Sequence, residues 1–116
     1  MEQLFAIPAL ASRQMVDDLL KYKRLDGIAE ALTALAAGLF EGGRQRAQPA
    51  RRLGETRTRV LVVWGAADRI IPAKHAANAP ASATVRVIEG AGHMVQMEKA
   101  GEVNTLLGQH LAGSGR

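Results

Sequence analysis

The chain has 116 residues, no cysteine, 47% hydrophobic residues and a formal net charge of +4. Without cysteine there is no disulfide framework, no thiol nucleophile and no thiolate metal site. No apolar run approaches the roughly 20 residues of a transmembrane helix, and the N-terminus lacks the basic-then-apolar order of a signal peptide, so a cytoplasmic protein without a membrane partner is expected.

The first periodic segment runs from about Ser12 to Arg24. Ser12 suits an N-cap, and Met15, Leu19, Leu20 and Tyr22 make an imperfect apolar stripe. Asp26 reads as the N-cap of a second helix carrying Ile28, Leu32, Leu35 and Leu39 on one face. Its many alanines favour helix, and Gly42 and Gly43 stop it. Arg44, Arg46, Arg51, Arg52, Arg57 and Arg59 then crowd one short segment, from which a phosphate or nucleic-acid patch is one reading. No aromatic residue lies among them, however, and Gly42, Gly43, Pro49 and Gly54 interrupt any regular face. A solvated linker, with no nucleic-acid partner, is the expectation.

Val60 to Trp64 is a short apolar run without alternation, rich in β-branched residues, as in a parallel strand buried on both faces. Gly65 ends it, and Asp68 sits just beyond. Pro72 opens a helix of about seven residues that Pro80 ends. Val85 to Glu89 is the second strand, broken by Gly90 and Gly92, with His93 directly after. About twenty residues join the two runs, enough for a helical crossover and too many for a tight hairpin. Parallel neighbours would bring Asp68 and His93 out at the same sheet edge, as an acid orienting an imidazole requires. The competing reading of Asp68 is a turn residue that satisfies local backbone N–H groups. That of His93 is a loop histidine with no task. Val103, Leu106, Leu107 and Leu111 recur at helical spacing and predict a last helix against the sheet. Met94 and Met97 are expected in the core. His75 and His110 fall on helices as surface residues, with no metal-binding spacing.

The words WGAADRIIP and EGAGHMVQME together resemble the C-terminal part of the α/β-hydrolase superfamily, whose triad runs nucleophile, acid, histidine. With KYKRLDGIAEAL, EGGRQ and GHMVQMEKAGEV, the likeness extends from about Leu4 to Leu111. Over that span the chain is most similar to the hydrolase-type dihydrolipoyllysine-residue acetyltransferase (E2) component of acetoin dehydrogenase complexes. The resemblance implies an α/β fold in which two parallel strands with flanking helices form the C-terminal portion of a hydrolase core, preceded by cap-type helices and incomplete by itself. It divides the chain into a helical cap-like segment (1–48), an Arg-rich linker (49–59), a core segment (60–112) and a disordered tail (113–116). A plain helical hairpin fits the first of these equally well.

The resemblance also makes Asp68 the orienting acid and His93 the general base. Glu98, five residues after the histidine, matches a position where many relatives carry Glu, and would cap the last helix or brace the loop. Ala100 stands where the family often has Pro. The serines lie in LASRQ, PASAT and AGSGR, none a Gly-x-Ser-x-Gly elbow. Ser114 also follows the histidine, out of family order. The expectation is therefore a C-terminal piece of a longer protein, inactive alone for want of a nucleophile and an oxyanion hole. Its implied partners are an acyl-bearing substrate and the other subunits of a multienzyme complex. Lipoyl and coenzyme A are implied only by the closer resemblance, and no cofactor or metal is expected in this chain. The implied chemistry is acetyl transfer, or ester or thioester hydrolysis. The alternative is a non-enzymatic module that binds an acidic partner through its arginines.

Overall fold

The structure is a computed structural model that describes residues 2–47 and 49–113, with Arg51 by its backbone only. Two 3-10 turns, Glu2–Leu4 and Pro8–Leu10, lead into α1 (Arg13–Lys23). The Ser12 hydroxyl caps α1 by accepting from the Met15 N–H, as its sequence context predicts. Helix α2 (Ile28–Leu39) follows, but Asp26 does not cap it. Gly27 takes that place at φ 80°, a left-handed turn that glycine adopts without strain, and its carbonyl accepts the first helical bond from Ala31.

Gly42 and Gly43 do more than stop the helix. Both have positive φ and join β1 (Phe40–Glu41) to β2 (Arg44–Gln45) in a two-residue antiparallel hairpin. A tight turn with two left-handed residues matches the strand twist, which is why Gly-Gly serves there. One short helix, α3 (Pro49–Leu53), lies in the arginine-rich segment. Two of the arginines there are occupied within the chain: Arg46 faces Glu41 at 3.7 Å across the hairpin, and Arg59 donates to the His110 carbonyl.

Strands β3 (Leu61–Gly65) and β4 (Thr84–Ile88) pair in parallel and in register, Leu61 with Thr84 through Gly65 with Ile88. The crossover between them holds the 3-10 helix Ala73–Asn78, opened by Pro72. After β4 come a single turn, α4 (Val95–Glu98), and the last helix, α5 (Ala100–Ala112). The core joins Ile88, Ala91 and Val103, with Val63, Val95 and Leu106 packed against it. Burying a side chain such as Ile88 or Val103 stabilises the fold by about 1.5–3 kcal/mol.

Three expectations about burial need correction. Leu61, Val62, Val63 and Trp64 of β3 are all only half-buried, because a sheet of two strands leaves both of its faces partly uncovered, and Val62 and Trp64 border a groove. In α5 the inner turn buries Val103, while Leu107 and Leu111 stay 44% and 68% exposed, since the sheet beneath is too narrow to reach them. Met97 is also exposed, on the outer side of the α4 turn. The radius of gyration, 16.9 Å, exceeds the roughly 13 Å of a compact 100-residue domain. Leu32, Leu35, Leu39 and Phe40 accordingly remain exposed on the α2–β1 unit. Among the described residues no helix is long and apolar enough to cross a membrane.

Two glycines set how closely the chain can fold back on itself. A Cβ on Gly65 would lie 2.1 Å from the Gly92 carbonyl oxygen, whereas one on Gly101, in α5, meets nothing within 4 Å. Gly65→Ala should therefore lower stability by about 3 kcal/mol, because the obstacle is backbone and cannot rotate away. Gly101→Ala should raise it by about 0.5–1 kcal/mol through helix propensity. Denaturant midpoints of the two variants check both signs.

Candidate functional site

The tips of β3 and β4 continue side by side beyond the sheet. The Ala66 N–H donates to the Ile88 carbonyl and the Ala67 N–H to the Ala91 carbonyl, both at 2.9 Å. These two bonds zip the GAAD turn onto the GAGH loop. Gly90 enters the loop at φ 66°, a left-handed step that reverses the chain after β4. Gly92 has a different role: a Cβ there would lie 2.6 Å from the Ala6 nitrogen and 2.8 Å from the Phe5 carbonyl carbon. The strand edge, the loop and the N-terminal segment meet at glycines because any larger residue would hold them apart.

Here Asp68 and His93 come together, His93 Nδ1 lying 3.0 Å from Asp68 Oδ2. The Asp68 side chain is 4% exposed and that of His93 32%. The other carboxylate oxygen, Oδ1, accepts from the Ile70 and Ile71 N–H groups at 2.8 and 2.9 Å. Asp68 thus fits both readings of its sequence position at once: it organises its own turn and it faces the imidazole. Burial is the largest influence on its carboxyl and pushes the pKa up. The Ile71 N–H, the His93 ring and the Ile70 N–H outweigh it together and hold the group below the usual carboxylate range. An ionised carboxylate only accepts, so Nδ1 carries the proton and, in the neutral ring, Nε2 is left as the basic nitrogen.

Glu98 braces the histidine loop and does not cap α5, whose first turn has no side-chain cap. Its Oε1 accepts from the Gly92 N–H and its Oε2 from the Ala6 N–H, both at 2.7 Å. The Met94 N–H donates to the Leu4 carbonyl, and Phe5 is 2% exposed between these contacts. The residues on either side of His93 and residues 4–6 are therefore packed together. Sequence reasoning missed that role of residues 4–6, since no local pattern announces a contact between segments some ninety positions apart.

The strand pattern marks Trp64 only as a strand residue, yet its indole N–H donates to Asp68 Oδ2 at 3.1 Å and to the Ile71 carbonyl at 3.0 Å. The four-residue offset to Asp68 was the available signal. Ser12 is engaged as a helix cap, and Ser82 precedes β4, at the opposite end of the strand from His93. Neither hydroxyl is bonded to the imidazole, and Ser114 falls outside the described residues, as does most of the tail expected at 113–116. His75 is exposed, far in sequence from any acidic cluster, and among the described residues no group of His, Asp and Glu could hold a metal.

The Asp68 geometry carries a pH consequence. With its folded pKa depressed, the unfolded chain takes up this proton first as pH falls. The stability it contributes is complete above the ordinary carboxylate range and is lost as pH drops through the folded value. In Asp68→Asn the amide nitrogen cannot accept from Trp64, so the variant should be less stable at pH 7. It should also lack this part of the acid-induced loss. Urea midpoints for both proteins between pH 7 and pH 2.5 test the expectation.

Comparison with known proteins places this arrangement in context. The family described as Alpha/beta hydrolase family matches residues 2–106. The chain is 63% identical over 112 residues to the dihydrolipoyllysine-residue acetyltransferase component of the acetoin cleaving system of Cupriavidus necator, covering 97% of this chain and 30% of that protein. To the component of the same name from Pseudomonas putida it is 54% identical over 104 residues, 90% of this chain and 27% of the relative. A third relative, 2-hydroxy-6-oxo-6-phenylhexa-2,4-dienoate hydrolase of Comamonas testosteroni, is 40% identical over 58 residues, 47% of this chain and 20% of that one. The chain spans less than a third of the length of each of these relatives.

Proposed function

The chain belongs to the alpha/beta hydrolase family, and on that premise we propose that it supplies the acid and the base of an acyl-transfer site. The carrying observation is the 3.0 Å bond between His93 Nδ1 and the buried Asp68 carboxylate. Asp68 fixes the imidazole tautomer and stabilises the imidazolium that forms during reaction. His93 Nε2 then takes the proton from an attacking hydroxyl and returns it to the leaving group. That hydroxyl would come from outside the described residues, because neither Ser12 nor Ser82 is bonded to the ring. This is the role of a hydrolase-fold segment that bears two of the three triad members and works only as part of a larger whole.

Similarity to two acetoin-cleaving-system acetyltransferase components supports acetyl transfer as the reaction. In that chemistry the acetyl group leaves the sulfur of dihydrolipoamide for the nucleophile, whose proton passes through His93 to the departing thiolate. The thiol of coenzyme A then attacks the acyl intermediate, giving its proton to the imidazole and restoring the nucleophile. The other subunits of such a complex are the proposed partners. Hydrolysis, in which water replaces coenzyme A as acceptor, is the second reading, favoured by the partial match to a hydrolase. A binding module that acts only through its arginines is less well supported, since Arg46 and Arg59 already have partners within the chain.

The test is a double-mutant cycle on acetyl transfer to coenzyme A by the assembled complex. His93→Ala should lower the rate by about 10³-fold or more, and Asp68→Asn by a comparable factor. Once the imidazole is gone the acid has nothing to orient, so the double variant should be little slower than His93→Ala. Near-normal activity of His93→Ala, or losses that multiply, would remove both residues from the chemistry.

A further inference from the structure

Asp68 Oδ2 takes two donors, His93 Nδ1 at 3.0 Å and the Trp64 indole N–H at 3.1 Å. Oδ1 takes two more, the Ile70 and Ile71 N–H groups. A carboxylate has about four lone-pair sites, so this one is saturated. The two backbone donors already set the plane of the carboxylate. Trp64 acts on the other oxygen: it occupies the second site on Oδ2, the one that faces the imidazole. Its own placement is firm, because the same N–H is shared with the Ile71 carbonyl at 3.0 Å, which pins the indole across the GAAD turn. Packing alone would not require this, since Trp64 is half-buried on the open face of β3 and a phenyl ring could cover the same strand surface.

We propose that Trp64 is a positioning residue for the acid of this site, its indole N–H sharing Oδ2 with the imidazole so that one lone pair alone is directed at His93. The proposal rests on the reading of Asp68 and His93 as the acid–base pair, which it deepens. Two donors on one oxygen divide its electron density, so the His93 bond is weaker than it would be with Oδ2 to itself. Removing the indole N–H strengthens the pull on the Nδ1 proton, and a more acidic indole N–H weakens it. A purely structural tryptophan would produce neither effect.

Trp64 is the single tryptophan of the 116-residue chain, so its indole N–H gives one resonance there. That signal should move upfield in Asp68→Asn, where the oxygen that accepts it is replaced. The far-downfield Nδ1 proton of His93 should move further downfield in Trp64→Phe. Replacing Trp64 with 5-fluorotryptophan keeps the shape and acidifies the N–H, and should shift the same proton in the opposite direction. This second substitution decides the matter if Trp64→Phe does not fold. An indole signal indifferent to Asp68→Asn, or a His93 proton unmoved by 5-fluorotryptophan, overturns the proposal. Those outcomes are separable from failure of the acid–base reading. If His93→Ala left acetyl transfer intact, the site reading would fall while the proton coupling remained measurable. If activity required His93 and the coupling was absent, Trp64 alone would be wrong.

Discussion

The contact on which the rest of this structure depends is the meeting of two backbone turns, GAAD after β3 and GAGH after β4. A parallel ladder brings the strands side by side, and the bonds from Ala66 to Ile88 and from Ala67 to Ala91 extend the pairing past the last sheet residues. Gly65 lets the two turns touch, since any Cβ there would fall within 2.1–2.7 Å of backbone atoms of Ala91 and Gly92. Everything chemical in the chain follows from that proximity. Asp68 and His93 are 25 positions apart in sequence and one hydrogen bond apart in space.

The electrostatics at this junction are settled by local donors. Removing a carboxylate from water costs several kcal/mol, which by itself would favour the neutral acid. Hydrogen bonds to a charged group contribute about 1.5–3 kcal/mol each, and those from Ile71, His93 and Ile70 together outweigh the burial. The acid therefore stays ionised while shielded, the condition under which it can hold an imidazole in a single tautomer. Glu98 performs the parallel service for the loop. It ties Gly92 and Ala6 together with both oxygens, so the histidine stands on a loop held from two directions.

Around this junction the chain leaves much apolar surface uncovered. The sheet has two strands, the helical segment ahead of it exposes Leu32, Leu35, Leu39 and Phe40, and one face of β3 borders an open groove. Relatives that match nearly the whole chain are more than three times its length. The polar atoms of the junction are thus well satisfied, while the apolar faces beside it are poorly covered.

Much of this was legible in the residues themselves. Short runs rich in β-branched residues, each followed by glycine, marked both strands, their separation called for a crossover, and the lone Asp68 and His93 beyond each run marked the pair that meets at the sheet edge. Ser12 announced its helix because capping is local chemistry. Other features depended on what lies across space. Asp26 lost its capping role to a left-handed Gly27, and Gly42 and Gly43 turned a hairpin as well as stopping a helix. Leu107, Leu111 and Met97 carry the right periodicity but face no partner, since burial needs an opposing surface that periodicity cannot supply. The link from Glu98 to Ala6 was invisible in one dimension, and that from Trp64 to Asp68 was signalled only by a four-residue offset. Residue type sets which bonds a side chain is able to make, and only the close approach of separate segments decides which of them it makes.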